Sequence, residues 1–142
     1  MADNKLALRI ISPDKASNRD PYKLQKECDM VIIRCETGDM GFLPGRTACA
    51  MTLGAGIMRM YSEGSEERMV IFGGIGHLQD DVITILAEGA QWPADIDVAK
   101  VNVEIEDLLG RIEATADVRE KDLLNRDLRR CKVQLSAADK AQ

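Results

Sequence analysis

The sequence is poor in the residues that most often carry chemistry. It has a single histidine, His77, and its four cysteines (Cys28, Cys35, Cys49, Cys131) form no Cys-x-x-Cys pair. Zinc sites and redox dithiols draw on such spacings, so the cysteines are expected to be buried small hydrophobes rather than metal ligands or disulfides. Aromatic residues make up 4% of the 142 residues. Carbohydrate sites and base-stacking platforms depend on aromatic faces, so nucleic acid is not an expected partner. No apolar run approaches the roughly 20 residues that span a bilayer. The opening MADNKLALRIIS has neither the basic start nor the long apolar core of a secretory signal. The chain is expected to be soluble, with membrane association only through partners.

What is present suffices for a core. Apolar residues make up 45% and charged residues 30%, as in ordinary soluble domains. The net charge of −5 is unevenly spread. Residues 119–140 hold seven basic and four acidic side chains, so this segment is +3 and the remainder −8. A basic segment on an acidic body reads either as a solvated face or as a surface for an acidic partner.

Up to about Ala87 short apolar stretches are broken by turn residues. Leu6, Leu8 and Ile10 alternate with Ala7 and Arg9, as in a half-buried strand. Met30–Ile33, Cys49–Leu53, Gly56–Tyr61, Arg68–Phe72 and Val82–Ala87 follow, separated by Gly38-Asp39, Pro44-Gly45, Glu63-Gly64 and Gly73-Gly74. Such punctuation predicts an antiparallel sandwich or barrel over residues 1–92. After Trp92-Pro93 the period changes. Val98, Val101, Ile105, Leu108 and Ile112 form one helical stripe; Leu124, Leu128, Cys131, Leu135 and Ala138 form a second. Asp95 or Asp97 caps the first helix, and Asp117-Val-Arg-Glu120 has capping-box spacing for the second. With a link of four to six residues, the prediction for 93–142 is an antiparallel two-helix hairpin. The fold class is therefore β plus α. Each stripe is only about two residues per heptad wide, so the hairpin is expected to dock on something or to undock.

Catalytic motifs are incomplete. Gly41-Phe-Leu-Pro-Gly45-Arg46-Thr47 has three residues between its glycines and then arginine, where a phosphate loop needs four and then lysine. Gly54-x-Gly56 is followed by Arg59 rather than the third glycine of a dinucleotide fingerprint. Gly73-Gly74-x-Gly76 reads as a tight turn or a close backbone approach. Asp80-Asp81 reads as a turn, since neighbouring residues in extended chain point to opposite faces and cannot share a proton. No nucleophile and acid assemble around His77, so the chain is not expected to be an enzyme.

Four segments together resemble the ε subunits of rotary F-type ATP synthases (the mitochondrial δ-like family). They are Cys35-Glu-Thr-Gly-Asp-Met-Gly-Phe-Leu-Pro-Gly45, Ile71-Phe-Gly-Gly-Ile75, Val82-Ile-Thr-Ile-Leu-Ala-Glu88 and Asp95-Ile-Asp97, in the family's order and spacing. The resemblance implies a non-catalytic central-stalk subunit that couples the γ subunit to the c-ring of a proton- or sodium-translocating complex. It implies a peripheral position on the cytoplasmic face of the bacterial plasma membrane, or its organellar equivalent. By the same resemblance Thr37, Gly38, Asp39, Met40, Gly41 and Arg46 would meet the c-ring or γ. The helices would restrain ATP hydrolysis, with Arg126, Arg129, Arg130 and Lys132 meeting an acidic segment of the β subunit. Arg46 stands where the family usually has histidine. Members that bind regulatory ATP carry [IL]-D-x-x-R-A; here Ile96, Asp97, Lys100 and Val101 occupy that pattern, and lysine lacks the planar fork of arginine. No other cofactor is implied. A free-standing nucleotide sensor on the same fold is the alternative reading. Residues 13–28 are longer and more charged than the family's first hairpin and read as a loop insertion.

Overall fold

The computed structural model describes residues 5–12 and 23–140. The chain divides into two compact units, Met1–Trp92 and Pro93–Gln142.

The first unit is built from β1 (Leu6–Ile11), β2 (Lys23–Cys28), β3 (Met30–Cys35), β4 (Gly38–Phe42), β5 (Cys49–Ser62), β6 (Ser65–Gln79), β7 (Val82–Ala87) and the short β8 (Ala90–Gln91). Their hydrogen-bonded order is β2-β1-β7-β6-β5-β3-β4, with β8 added to β6. All pairs are antiparallel except β1 with β7, which run parallel with Leu8 opposite Ile83 and Ile10 opposite Ile85. These strands are far apart in sequence, so no tight turn imposes an antiparallel sense on them.

Sequence punctuation suggested breaks at Gly54-Ala-Gly56 and Gly73-Gly74. Instead β5 and β6 run through both sites as strands of 14 and 15 residues. Gly73 and Gly74 adopt φ of +104° and +135°, and a Cβ on Gly74 would run into the Leu86 carbonyl. The glycines therefore bend continuous strands rather than end them. One half of β5 pairs with the half of β6 that continues to β7 and β1; the other half pairs with β3, which in turn carries β4. The long strands thus serve both layers of a sandwich. Leu6, Leu8, Ile10, Val31, Ile33, Phe42, Met58, Met60, Met69, Leu78, Ile83 and Ile85 fill it. Each such side chain removed from water contributes about 1.5–3 kcal/mol.

The hairpin turns match their residues. Glu63-Gly64 and Asp80-Asp81 are two-residue connections, with φ of +51° and +82° in the first and +51° and +62° in the second. Positive φ at both positions fits the twist of paired strands. The expected loop insertion at 13–28 is corrected in part. Residues 23–28 form β2, paired antiparallel with β1 from Ile11↔Lys23 to Leu6↔Cys28, while 13–22 lie outside the described residues. Cys28, Cys35 and Cys131 are buried free thiols; Cys49 is partly exposed.

The second unit opens with a 3₁₀ turn, Pro93–Asp95, followed by α1 (Val98–Ala114) and α2 (Val118–Lys140). Asp97 caps α1, accepting from the Lys100 N–H at 3.2 Å. Val101, Leu108, Leu124, Leu128 and Cys131 are buried along the seam, with Ile96, Ile105, Ile112 and Leu135 packed beside them. Val98 was expected in the stripe but is 41% exposed. Ile96, just before the cap, packs against the seam. The link is only Thr115–Asp117, shorter than expected. The expected capping box is modified too. Glu120 reaches back to the Thr115 hydroxyl at 2.9 Å, and Thr115 Oγ1 accepts the Asp117 N–H at 3.2 Å. Asp117 accepts from the Arg119 N–H at 3.0 Å.

Candidate functional site

The segment after β3 turns at Glu36-Thr37 and returns along the edge strand β4. Gly38, at φ +122°, takes a conformation that costs little without a side chain. Alternation along β4 sends Phe42 fully inside and packs Met40 partly against the core, while Asp39 and Gly41 face outward. Asp39 lies between two guanidiniums, 3.5 Å from Arg34 and 3.8 Å from Arg59. Beyond β4, Arg46 folds back. Its Nη1 donates to the Gly41 carbonyl at 2.6 Å, and its guanidinium lies 4.8 Å from the centroid of Phe42. Gly45 N–H donates to Asp81 Oδ1 at 2.8 Å. Thr37, Asp39, Gly41 and Arg46 thus belong to one exposed edge and loop, with Met40 partly buried between them.

A second surface escaped sequence reasoning. On the outer face of the β1–β7–β6–β5 layer, Ile11 faces Leu86, Leu86 faces Ile75, and Ile75 faces Thr52 across the strands. Ile75, Leu86 and Ile11 are 57%, 47% and 41% exposed. The neighbouring row runs Arg9, Thr84, His77, Ala50. Thr52, Ile75 and Leu86 of the first row and Ala50, His77 and Thr84 of the second line a shallow groove of about 360 Å³. Contiguous exposed aliphatic side chains of this kind mark interaction surfaces. The signal was present: in Val82–Ala87 and around Ile75, apolar residues occupy outward positions where a solvated face would be polar. His77 sits within this face, beside threonine and alanine rather than a nucleophile and an acid.

In the helical unit Arg126, Arg129 and Lys132 are exposed on α2, and Arg130 is partly covered. Cys131 lies in the seam, and its thiol is pushed up to about 11 by burial first, and then by the carboxylate of Glu104. Of the four residues in the nucleotide pattern, Ile96 packs against the seam, the Asp97 carboxylate caps α1, Lys100 is exposed and Val101 is buried in the seam. Among the described residues no group of three or more His, Cys, Asp or Glu side chains could hold a metal ion. None of the described helices is long and apolar enough to cross a membrane.

Comparison with known proteins supplies the context for these surfaces. Residues 5–93 match the family model described as ATP synthase, Delta/Epsilon chain, beta-sandwich domain. The chain is 29% identical over 136 residues to the ATP synthase epsilon chain of Trichodesmium erythraeum, covering 94% of this chain and 95% of that one. It is 32% identical over 100 residues to the ATP synthase epsilon chain of Desulforudis audaxviator, covering 70% and 69%. Its fold is similar to that of a chain in the cryo-EM structure of Euglena gracilis mitochondrial ATP synthase (OSCP/F1/c-ring). That match has a TM-score of 0.79 and 22% identity, and covers 94% of this chain and 81% of that one.

Proposed function

The chain belongs to the ATP synthase delta/epsilon family, and from that premise we propose that it is a non-catalytic subunit of the central stalk, docked through its β unit and regulatory through its helices. The observation that carries this reading is the exposed Ile11–Leu86–Ile75 row on the outer sheet. A γ-like stalk chain is the partner of that row. The edge and loop from Thr37 to Arg46, including the exposed Leu43, is the contact with the c-ring or with γ at its foot. Arg126, Arg129, Arg130 and Lys132 offer guanidinium and ammonium groups to carboxylates of the catalytic β subunit, and so hold back ATP hydrolysis. Membrane association comes through the complex, on its cytoplasmic or equivalent face. A regulatory ATP at Ile96, Asp97 and Lys100 would share the Asp97 carboxylate with the cap it makes on the Lys100 N–H.

Retention by the rest of the stalk tests the docking claim. Ile75 and Leu86 are exposed in the isolated chain, so Ile75→Asp with Leu86→Asp should leave its folding intact. A charge buried at the centre of an interface costs at least 2 kcal/mol, and the double variant should no longer co-purify with the γ-like chain. Co-purification at the wild-type level would remove this face from the account.

A further inference from the structure

We propose that Asp81 is the positioning residue that presets the Gly41–Arg46 loop for docking, an inference that rests on the reading of this loop as a partner contact. Gly41 and Phe42 are held by β4 and the core, but beyond Phe42 the segment has little packing to hold it. Leu43 is 57% exposed, and at Gly41 and Gly45 the space a Cβ would occupy has no neighbour within 4 Å. Its conformation therefore depends on polar contacts. Arg46 supplies one set within the loop itself, to the Gly41 carbonyl and the Phe42 ring. From outside, the Asp81 carboxylate takes the Gly45 N–H at 2.8 Å across 36 positions of sequence.

Asp81 is itself fixed. It occupies the second position of the β6–β7 turn at φ +62°, and its carbonyl accepts the Ala7 N–H at 2.9 Å. The turn conformation by itself does not call for a carboxylate, because glycine and asparagine adopt positive φ at lower cost. What aspartate adds is a charged acceptor on a rigid hairpin, aimed at a backbone donor in the exposed part of the loop beyond Phe42. A charge-assisted hydrogen bond of this kind is stronger than a neutral one. Holding the loop in one conformation before encounter removes part of the ordering cost of binding.

Three full-length variants, Asp81→Gly, Asp81→Asn and Leu43→Asp, test this by two readouts. The first is exchange of the Gly45 amide proton in the free chain. The second is affinity for a stalk complex lacking this subunit. Asp81→Gly keeps the backbone conformation and removes the acceptor. It should speed Gly45 exchange about tenfold and weaken docking roughly five- to tenfold, with a melting temperature unchanged or raised. Asp81→Asn keeps an oxygen acceptor but loses its charge, and should fall between the wild type and Asp81→Gly on both. Leu43→Asp reports on the loop reading itself and should weaken docking strongly. If Leu43→Asp weakens docking and Asp81→Gly does not, the positioning role is wrong and the loop contact stands. If Leu43→Asp docks like the wild type, the loop contact is wrong and the positioning role falls with it. A loss of affinity in Asp81→Gly with unchanged Gly45 exchange, or with a matching fall in melting temperature, also overturns the proposal.

Discussion

The two units of this chain solve the problem of stability differently. The β unit encloses large side chains on both layers of a sandwich, joined by strands long enough to belong to each. The helical unit closes one seam, and its helices leave Val103, Leu109, Val118 and Leu123 exposed. Apolar burial scales with the area removed from water, so the first unit has a reserve that the second lacks. The difference suits the proposed division of labour. A docking platform must hold its surface residues in register, while a regulatory arm must be able to change what it touches at modest cost.

Truncating the two cores should show the largest contrast. Ile85 is fully buried, and Ile85→Ala should cost the β unit about 3 kcal/mol; Leu128→Ala should cost the hairpin about 2 kcal/mol. Helix signal in Leu128→Ala should melt first, with the strand transition unmoved. Coincident melting of both units in Leu128→Ala would show one cooperative body and break the comparison.

A smaller effect sharpens the contrast within the seam. The Cys131 thiol is raised from 9.0 to about 11, by burial first and then by Glu104. A group whose folded pKa is raised contributes stability that is complete below its unfolded pKa and is lost as pH climbs through the folded one. The hairpin should therefore lose on the order of 1 kcal/mol between about pH 9 and pH 11. Cys131→Ala should flatten that part of the profile relative to the wild type, measured by helix melting. Identical alkaline profiles would remove the thiol from the energetics of the seam.

Much of this architecture was legible because its signals are local. The alternation of Leu6, Leu8 and Ile10 and the Leu124-to-Ala138 stripe each sit within one element, and each ends up facing a core, with Leu135 partly buried. The missed features are nonlocal. Glycines at 54, 56, 73 and 74 look like turns in one dimension, and only the strands paired beside them show that they lie within continuous strands. The parallel pairing of β1 with β7 and the reach of Asp81 to Gly45 join residues with no shared pattern. Within the site, Met40 could have been assigned inward from its spacing to Phe42. The outer apolar row needed the cross-strand register that aligns Ile11, Leu86 and Ile75.

The central claim, docking by the β unit and restraint by the helices, is tested most directly by ATP hydrolysis of complexes assembled with the full chain or with residues 1–92 alone. The account predicts that both forms are retained in stoichiometric amount and that hydrolysis is faster with the shorter one. Failure of the shorter chain to assemble, or equal hydrolysis rates with both retained, would contradict it.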